Sequence, residues 1–427
     1  MLNSNMLFNK MIESYNLSLN NGEFSKKIDD SSTILPGNFK PRFYDDIKIS
    51  LLFENATPEI YCVGTVESDN YIKIDKSKLE FMKTLINITD GEKTIDDIER
   101  ILSSIYTLSS YRNFFAMLGE YGLIKNYKIK NKDKSNIFFI NLLFINISKF
   151  CSTIKYIVPS ILSLFKLAYI FVFSVLLGLI ITGVINVNTI FQVDSSSIIE
   201  TTIMTFLYIV PTIFTHELSH MFVAIKYNLL PNQMRFSLYM FIYPMIYVVI
   251  PGIYFLKRKE RIWILSAGVI WNSFFMMLCI IIGNVFSINT IKIIAYSNLI
   301  VMIMNLIPFF LSDGYFILCN LMKTSNIRRD FTLFLISFRN KDIDRKKILK
   351  SKFSVFYIII SSLFLTYGLY EIGTNTYSFI YDFLNSRWSI KLNEIFFVPM
   401  SISIGVYIFF ILMFSNNNRI AKKKKDK

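Results

Sequence analysis

Residues 201–225 read TTIMTFLYIVPTIFTHELSHMFVAI, an apolar run broken only by the pentapeptide His216-Glu217-Leu218-Ser219-His220. At about 1.5 Å per residue the run is long enough to cross roughly 30 Å of hydrocarbon as a helix. The chain has only two histidines, and both fall inside this pentapeptide. On a helix, positions i and i+4 share a face, so His216 and His220 converge on one point while Glu217 sits a step around the cylinder. Ionisable groups at that depth cost on the order of 2.5 kcal/mol or more each and mark function, with a metal as the natural compensating partner. HExxH on a helix is the pattern of a zinc hydrolase, with the glutamate as general base.

Composition places the rest of the chain in the same environment. Hydrophobic residues make up 53%, 41 positions are phenylalanine, and 18% are charged, below the soluble average of about 25%. The four cysteines, Cys62, Cys151, Cys279 and Cys319, are too scattered for a metal knuckle or a disulfide framework, and read as small buried hydrophobes. The first residues, MLNSNMLFNKMIESYN, lack the apolar core of a cleavable signal. Apolar segments predict about six transmembrane helices, at 167–187, 201–225, 263–285, 293–311, 354–370 and 395–414. The net charge of +15 is concentrated between them: six Lys or Arg lie in 226–261, ten in 323–352, and the chain ends in KKKKDK. All of these fall on one side of a six-pass arrangement, which the positive-inside rule makes cytoplasmic, with both termini there. Residues 137–165, apolar but interrupted by Lys149 and Lys155, read as an interfacial helix leading into the first span.

A zinc site needs a third protein ligand, and no histidine is left to supply it. The sequence NLIPFFLSDGYFIL at 305–318 carries Asp313 in an otherwise apolar run, with Pro308 to break the preceding helix and Gly314 to turn the backbone. Both segments run from outside to inside, so Asp313 and the histidines are expected at one depth. Zinc held by two imidazoles and a carboxylate keeps one open position, where a water is acidified to about pKa 7 and Glu217 can take its proton. Asn305 reads equally as a donor to the oxyanion that forms on the peptide carbonyl and as a residue that hydrogen-bonds between helices; Asn272 is a weaker polar candidate. A substrate helix must unwind to be cut, and the irregular segment 228–252 could receive it as an added strand.

HExxH in one apolar helix, followed by Asn305, Pro308, Asp313 and Gly314 in the pattern N-x-x-P-x-x-x-x-D-G, resembles the site-two protease family of intramembrane zinc metalloproteases. The resemblance covers roughly 160–325. It implies that His216, His220 and Asp313 bind one zinc ion and that Glu217 is the base. The fragment RIWILSAGVIWN at 261–272 is similar to the family's third helix, where the Ala267-Gly268 pair allows close packing. The chain departs from many members at Leu311 and Ser312, where they carry a second proline and a leucine, and its DGY continuation through Tyr315 is closer to a subgroup associated with peptide maturation.

The amino-terminal third is a different kind of sequence. YCVGTVESDNYIKID alternates around a turn as a hairpin, helical patterns follow near 78–84, 95–102 and 111–121, and LIKNYKIK resumes strand character. Thr94 with Asp97 makes an N-terminal cap for the second helix. Two strands, three helices and a closing strand describe a winged-helix α+β domain. ITDGEKTIDDIERIL and FFAMLGEYGLIK resemble PqqD-like precursor-recognition domains. Asp90, Glu92, Asp96, Asp97 and Glu99 crowd acid into one region, which disfavours nucleic acid as a partner.

The expected organisation is therefore mainly α: a poorly patterned segment at 1–40, the winged-helix domain at 41–132, an interfacial linker helix at 133–166, a zinc protease core at 167–325, a basic cytoplasmic linker at 326–353, and two further transmembrane helices with a basic tail at 354–427. The expected activity is zinc-dependent hydrolysis of a peptide bond in a membrane-associated or ribosomally synthesised precursor, in a multi-pass cell-membrane protein whose partners are that substrate and the lipid bilayer. Two other readings share the residues: cleavage of a membrane-tethered regulator, and a non-catalytic peptide export or immunity protein.

Overall fold

A computed structural model describes residues 35–363 except 54–58, 67–69, 107–109, 128–138, 188–197, 240–242, 309–311, 325–326 and 338–354, together with 366, 370 and 374. The initial segment to residue 34, the last expected span and the basic tail lie outside the described residues. The chain is mostly helical, with two small three-stranded sheets.

The first sheet is an antiparallel meander of β1 (Ile47–Phe53), β2 (Ile60–Thr65) and β3 (Tyr71–Asp75). The β2–β3 pair is the hairpin read from the sequence; β1 was not foreseen. Three helices follow, α1 (Leu79–Ile88), α2 (Ile95–Leu102) and α3 (Tyr111–Glu120). α2 starts where its capping residues predict, with Thr94 Oγ1 accepting from the Asp97 backbone N–H and the Asp97 carboxylate accepting in return from the Thr94 N–H. Of the expected closing strand at 123–130, the described residues, which end at 127, show one bridge, Phe43 with Ile124. The acidic stretch is internally neutralised: Asp90 pairs with Lys93, and Asp96 with Arg112.

Both faces of this first sheet are covered. Ile47, Ile49, Tyr61, Val63, Ile72 and Ile74 pack with the domain's own helices. The alternate positions Ile60, Cys62 and Tyr71, with Leu52 and Phe53 beyond the irregularity in β1, join the core of the membrane region. A strand's period of two sends successive side chains to opposite faces, so these two-sided apolar strands are layered between two bodies.

The linker differs most from expectation. Residues 133–166 do not form one interfacial helix. β4 (Phe139–Asn146) is a strand, followed by α4 (Ser148–Ile154) and α5 (Val158–Ile181), so the first long apolar helix begins nine residues earlier than read. β4 pairs with β5 (Gln233–Tyr239), and β5 with β6 (Tyr243–Val249), all antiparallel. Phe, Ile and Leu suit a strand as well as a membrane helix, and the partner that decides between them lies about ninety residues downstream.

α6 (Ile198–Lys226) carries HELSH and packs against α7 (Arg258–Val285) and α8 (Asn289–Leu306). Three described helices, α5, α7 and α8, are long and apolar enough to cross a membrane, and the six-span arrangement reaches no further than that. α9 (Asp313–Leu321) follows α8, and α10 (Ile327–Ser337) occupies the first part of the expected linker, whose remainder, 338–353, lies outside the described residues. Ile327 and Phe331 of α10 are buried in the core, and the Arg328 guanidinium lies 4.9 Å from the Tyr315 ring centroid. Of the fifth expected span, 355–363 is helical. All four cysteines are buried, and none forms a disulfide.

Candidate metal centre

Three elements bring the centre together. α6 supplies His216 and His220 from one face, with ring centroids 4.9 Å apart and planes at 74°. α9 supplies Asp313 as its first residue, after Ser312 Oγ donates to the Ile307 carbonyl at 2.6 Å. Asp313 Oδ2 lies 2.9 Å from His216 Nε2 and 3.1 Å from His220 Nε2. All three side chains, and Glu217 beside them, are essentially inaccessible to solvent. Two segments 97 residues apart in sequence thus meet at a single carboxylate oxygen.

Glycines make the approach possible. A Cβ on Gly314 would fall 2.6 Å from the Leu306 carbonyl carbon and closer still to its oxygen. Gly314 is helical and lets the start of α9 pack against the end of α8; it does not turn the backbone as the sequence suggested. Gly268 of α7 plays the same part for the ligand. A Cβ there would come within 2.6 Å of His216 Cδ2, and nearer to Nε2 and Cε1. Gly268→Ala should therefore displace the His216 ring and sharply reduce metal binding, while Ala267→Gly, beside it, should not. Metal content of the two purified variants checks this, and full occupancy in Gly268→Ala would show that the ring has room.

The donor set fits a divalent metal. Ligand atoms of the three residues lie within 4.8 Å of one another, and the two Oδ2 distances are near the ~3.3 Å edge of a tetrahedron with metal bonds of ~2.0–2.1 Å. The His220 ring gives a chemical reason as well. Its Nδ1 is 2.6 Å from the Ile264 carbonyl oxygen, which can only accept, so Nδ1 carries a proton. In the neutral imidazole, Nε2 then points a lone pair at a carboxylate oxygen, an arrangement that needs a cation between them. The second Asp313 oxygen, Oδ1, is buried without a hydrogen-bond partner among the described residues, and a carboxylate left half-satisfied in the interior is costly unless a cation compensates it.

Glu217 Oε2 accepts from the Val248 backbone N–H at 3.1 Å. β6 is the sheet edge nearest α6. Because alternate residues of a strand point their backbone groups the same way, Ile246 and Pro244 share the direction of Val248, away from β5. The irregular segment read from sequence is therefore a hairpin whose outer edge reaches the expected base.

Asn305 is not drawn into this cluster. It sits in the last turn of α8 with Nδ2 donating to the Val301 carbonyl at 3.0 Å, and among the described residues no hydrogen bond ties it to the triad. Asn272 is closer: fully buried on α7, its Nδ2 lies 3.0 Å from His216 Nδ1. Sequence reasoning missed Arg261, which is 1% exposed and ties α7 to α9 through Asn320 Oδ1 at 2.9 Å, and to β1 through the Leu52 carbonyl. An arginine at the start of an apolar helix carries no local signal for burial, since such residues normally reach water.

Comparison with family models, with characterised proteins and with solved structures finds no match for this chain.

Proposed function

We propose that the chain is an intramembrane zinc metalloprotease, with His216, His220 and Asp313 as zinc ligands and Glu217 as general base. The observation that carries this reading is the meeting of two histidines and an aspartate on one buried point, with a glutamate beside them that ligates nothing. Zinc bound there would supply a Lewis acid that activates water for attack on a peptide carbonyl. Glu217 would take the proton of that water and pass it to the leaving amine.

The edge of β6 supports a peptide as substrate. An extended chain laid along it could bond to the outward backbone groups of Ile246, which would unwind a substrate helix and expose its carbonyls beside the base. The substrate in this reading is a membrane-associated or ribosomally synthesised precursor, and the bilayer surrounds the apolar helices α5, α7 and α8. In this reading both termini lie in the cytoplasm, as the positive-inside rule expects for the basic segments, and the amino-terminal domain is the module that captures the precursor. Asn305 keeps a proposed role as oxyanion donor that requires its bond to Val301 to be exchanged when substrate binds.

Purified protein should contain about one zinc per chain, and His216→Ala or Asp313→Ala should each remove most of it. Metal analysis after exposure to a weak chelator makes the measurement. Full zinc in Asp313→Ala would take that residue out of the centre and with it the resemblance on which the assignment of a protease rests.

A further inference from the structure

We infer that Asn272 is the positioning residue that sets the proton of His216, and that its side-chain amide reverses when the centre takes up metal. The inference rests on the metalloprotease reading and concerns the same site. It begins with a stripe on α7. Ile264, Gly268 and Asn272 are spaced i, i+4 and i+8, which places them on one face of the helix, and all three meet the histidines of α6. The Ile264 carbonyl fixes the His220 ring, Gly268 admits the His216 ring, and Asn272 takes the far nitrogen of His216.

The two rings are held differently. His220 Nδ1 faces a backbone carbonyl, so its proton is fixed on Nδ1 and Nε2 is available as a ligand. His216 Nδ1 faces an amide, whose oxygen accepts and whose nitrogen donates in two orientations of the same shape. With Nδ2 towards the ring at 3.0 Å, Nδ1 must accept. The ring proton then sits on Nε2, where it donates to Asp313 Oδ2 at 2.9 Å. This pattern is self-consistent, but it leaves no lone pair on His216 Nε2 for a cation.

Ligation requires the opposite. When Nε2 is given to a metal, the neutral ring carries its proton on Nδ1, and an amide N–H facing it would set two donors against each other. Reversing the Asn272 amide puts Oδ1 against that N–H. The reversal breaks no second hydrogen bond at the oxygen, because Oδ1 in the present orientation is buried with no partner among the described residues. The geometry thus explains why the residue is an amide. A carboxylate would satisfy only the Nδ1–H ring, a hydrocarbon neither form, and asparagine satisfies both.

The test is zinc affinity of the full-length protein in detergent, measured by competition with a chromophoric chelator, for wild type, Asn272→Leu and Asn272→Asp, with thermal melting as a check on folding. Loss of a hydrogen-bonding partner of a ligating histidine typically weakens metal binding by about 10–100-fold, and that is the expected loss for Asn272→Leu. Asn272→Asp, which can only accept, should bind zinc no more weakly than wild type. Equal affinity for wild type and Asn272→Leu overturns the inference. So does a loss in Asn272→Asp, because a carboxylate is excluded only if the amide donates to Nδ1 in the loaded site; this arm decides even if the leucine variant fails to fold. A wild-type chain that takes up no zinc would instead overturn the metalloprotease reading itself.

Discussion

Glu217→Gln should abolish proteolysis while leaving the zinc content unchanged. Glutamine has the size of glutamate, and its side-chain oxygen can still accept from the Val248 N–H that Glu217 Oε2 meets at 3.1 Å, so the hairpin edge should stay where it is. The three ligands are untouched. What is lost is the capacity to take a proton, and a positioned general base is worth about 10²- to 10⁴-fold in rate. The measurement is cleavage of a peptide precursor alongside metal analysis of the same preparation. Undiminished cleavage would sink the proposed mechanism. A zinc-free glutamine variant would instead make Glu217 part of the centre's structure. The same pair of measurements separates an enzyme from a scaffold, since a peptide export or immunity protein has no use for the proton.

The second large effect should come from Arg261, which is neither a ligand nor the base. Its Nη2 donates to the Leu52 carbonyl of β1, its Nη1 to Leu256 O at 2.9 Å and Tyr254 O at 3.4 Å, and its Nε to Asn320 Oδ1 at 2.9 Å. The guanidinium also lies 5.4 Å from the Phe53 ring centroid. Around it the seam is closed by Tyr71 against Tyr254, centroids 4.5 Å apart, and by the Lys73 ammonium 5.2 Å from the same Tyr254 ring. Lys73 is partly buried there, and desolvation pushes its pKa below the ordinary lysine value. Replacing Arg261 by Met keeps much of the volume and leaves buried acceptors without a donor, each costing about 1–3 kcal/mol. The loss should total roughly 3 kcal/mol or more, read as a lowered melting temperature in detergent and as faster cleavage by an added protease. An unchanged melt with unchanged cleavage would mean that the two bodies do not depend on this contact.

That prediction revises the role expected for the amino-terminal domain. From sequence, the hairpin and helices suggest a tethered module whose loss would raise the precursor concentration needed for cleavage and leave zinc in place. In the fold, Leu52, Phe53, Cys62 and Tyr71 are buried in the same cluster as Met221 of α6 and Tyr315 of α9, residues next to the ligand-bearing turns. Deleting the domain would expose that surface and remove the Leu52 carbonyl from Arg261, so the metal centre itself should weaken.

By itself the sequence determined what is written in local spacing. Histidines four apart on an apolar helix share a face whatever surrounds them, the Thr94 and Asp97 cap spans only three peptide units, and the apolar runs read at 167–187, 263–285 and 293–311 announce helices through composition, though not their exact ends. Asp313 was legible because an aspartate in an apolar segment must be compensated by something. Only the tertiary structure decided the rest. β4 looks like a helix until β5, far along the chain, offers its backbone groups, because strand pairing is a non-local bond that no window of sequence contains. The α7 stripe of Ile264, Gly268 and Asn272 acquires meaning only from the rings packed against it: a carbonyl, the space left by a missing Cβ, and a reversible amide leave no mark in hydropathy. The burial of Arg261 is likewise invisible in sequence, since three of its four acceptors are main-chain oxygens, and every residue carries one of those.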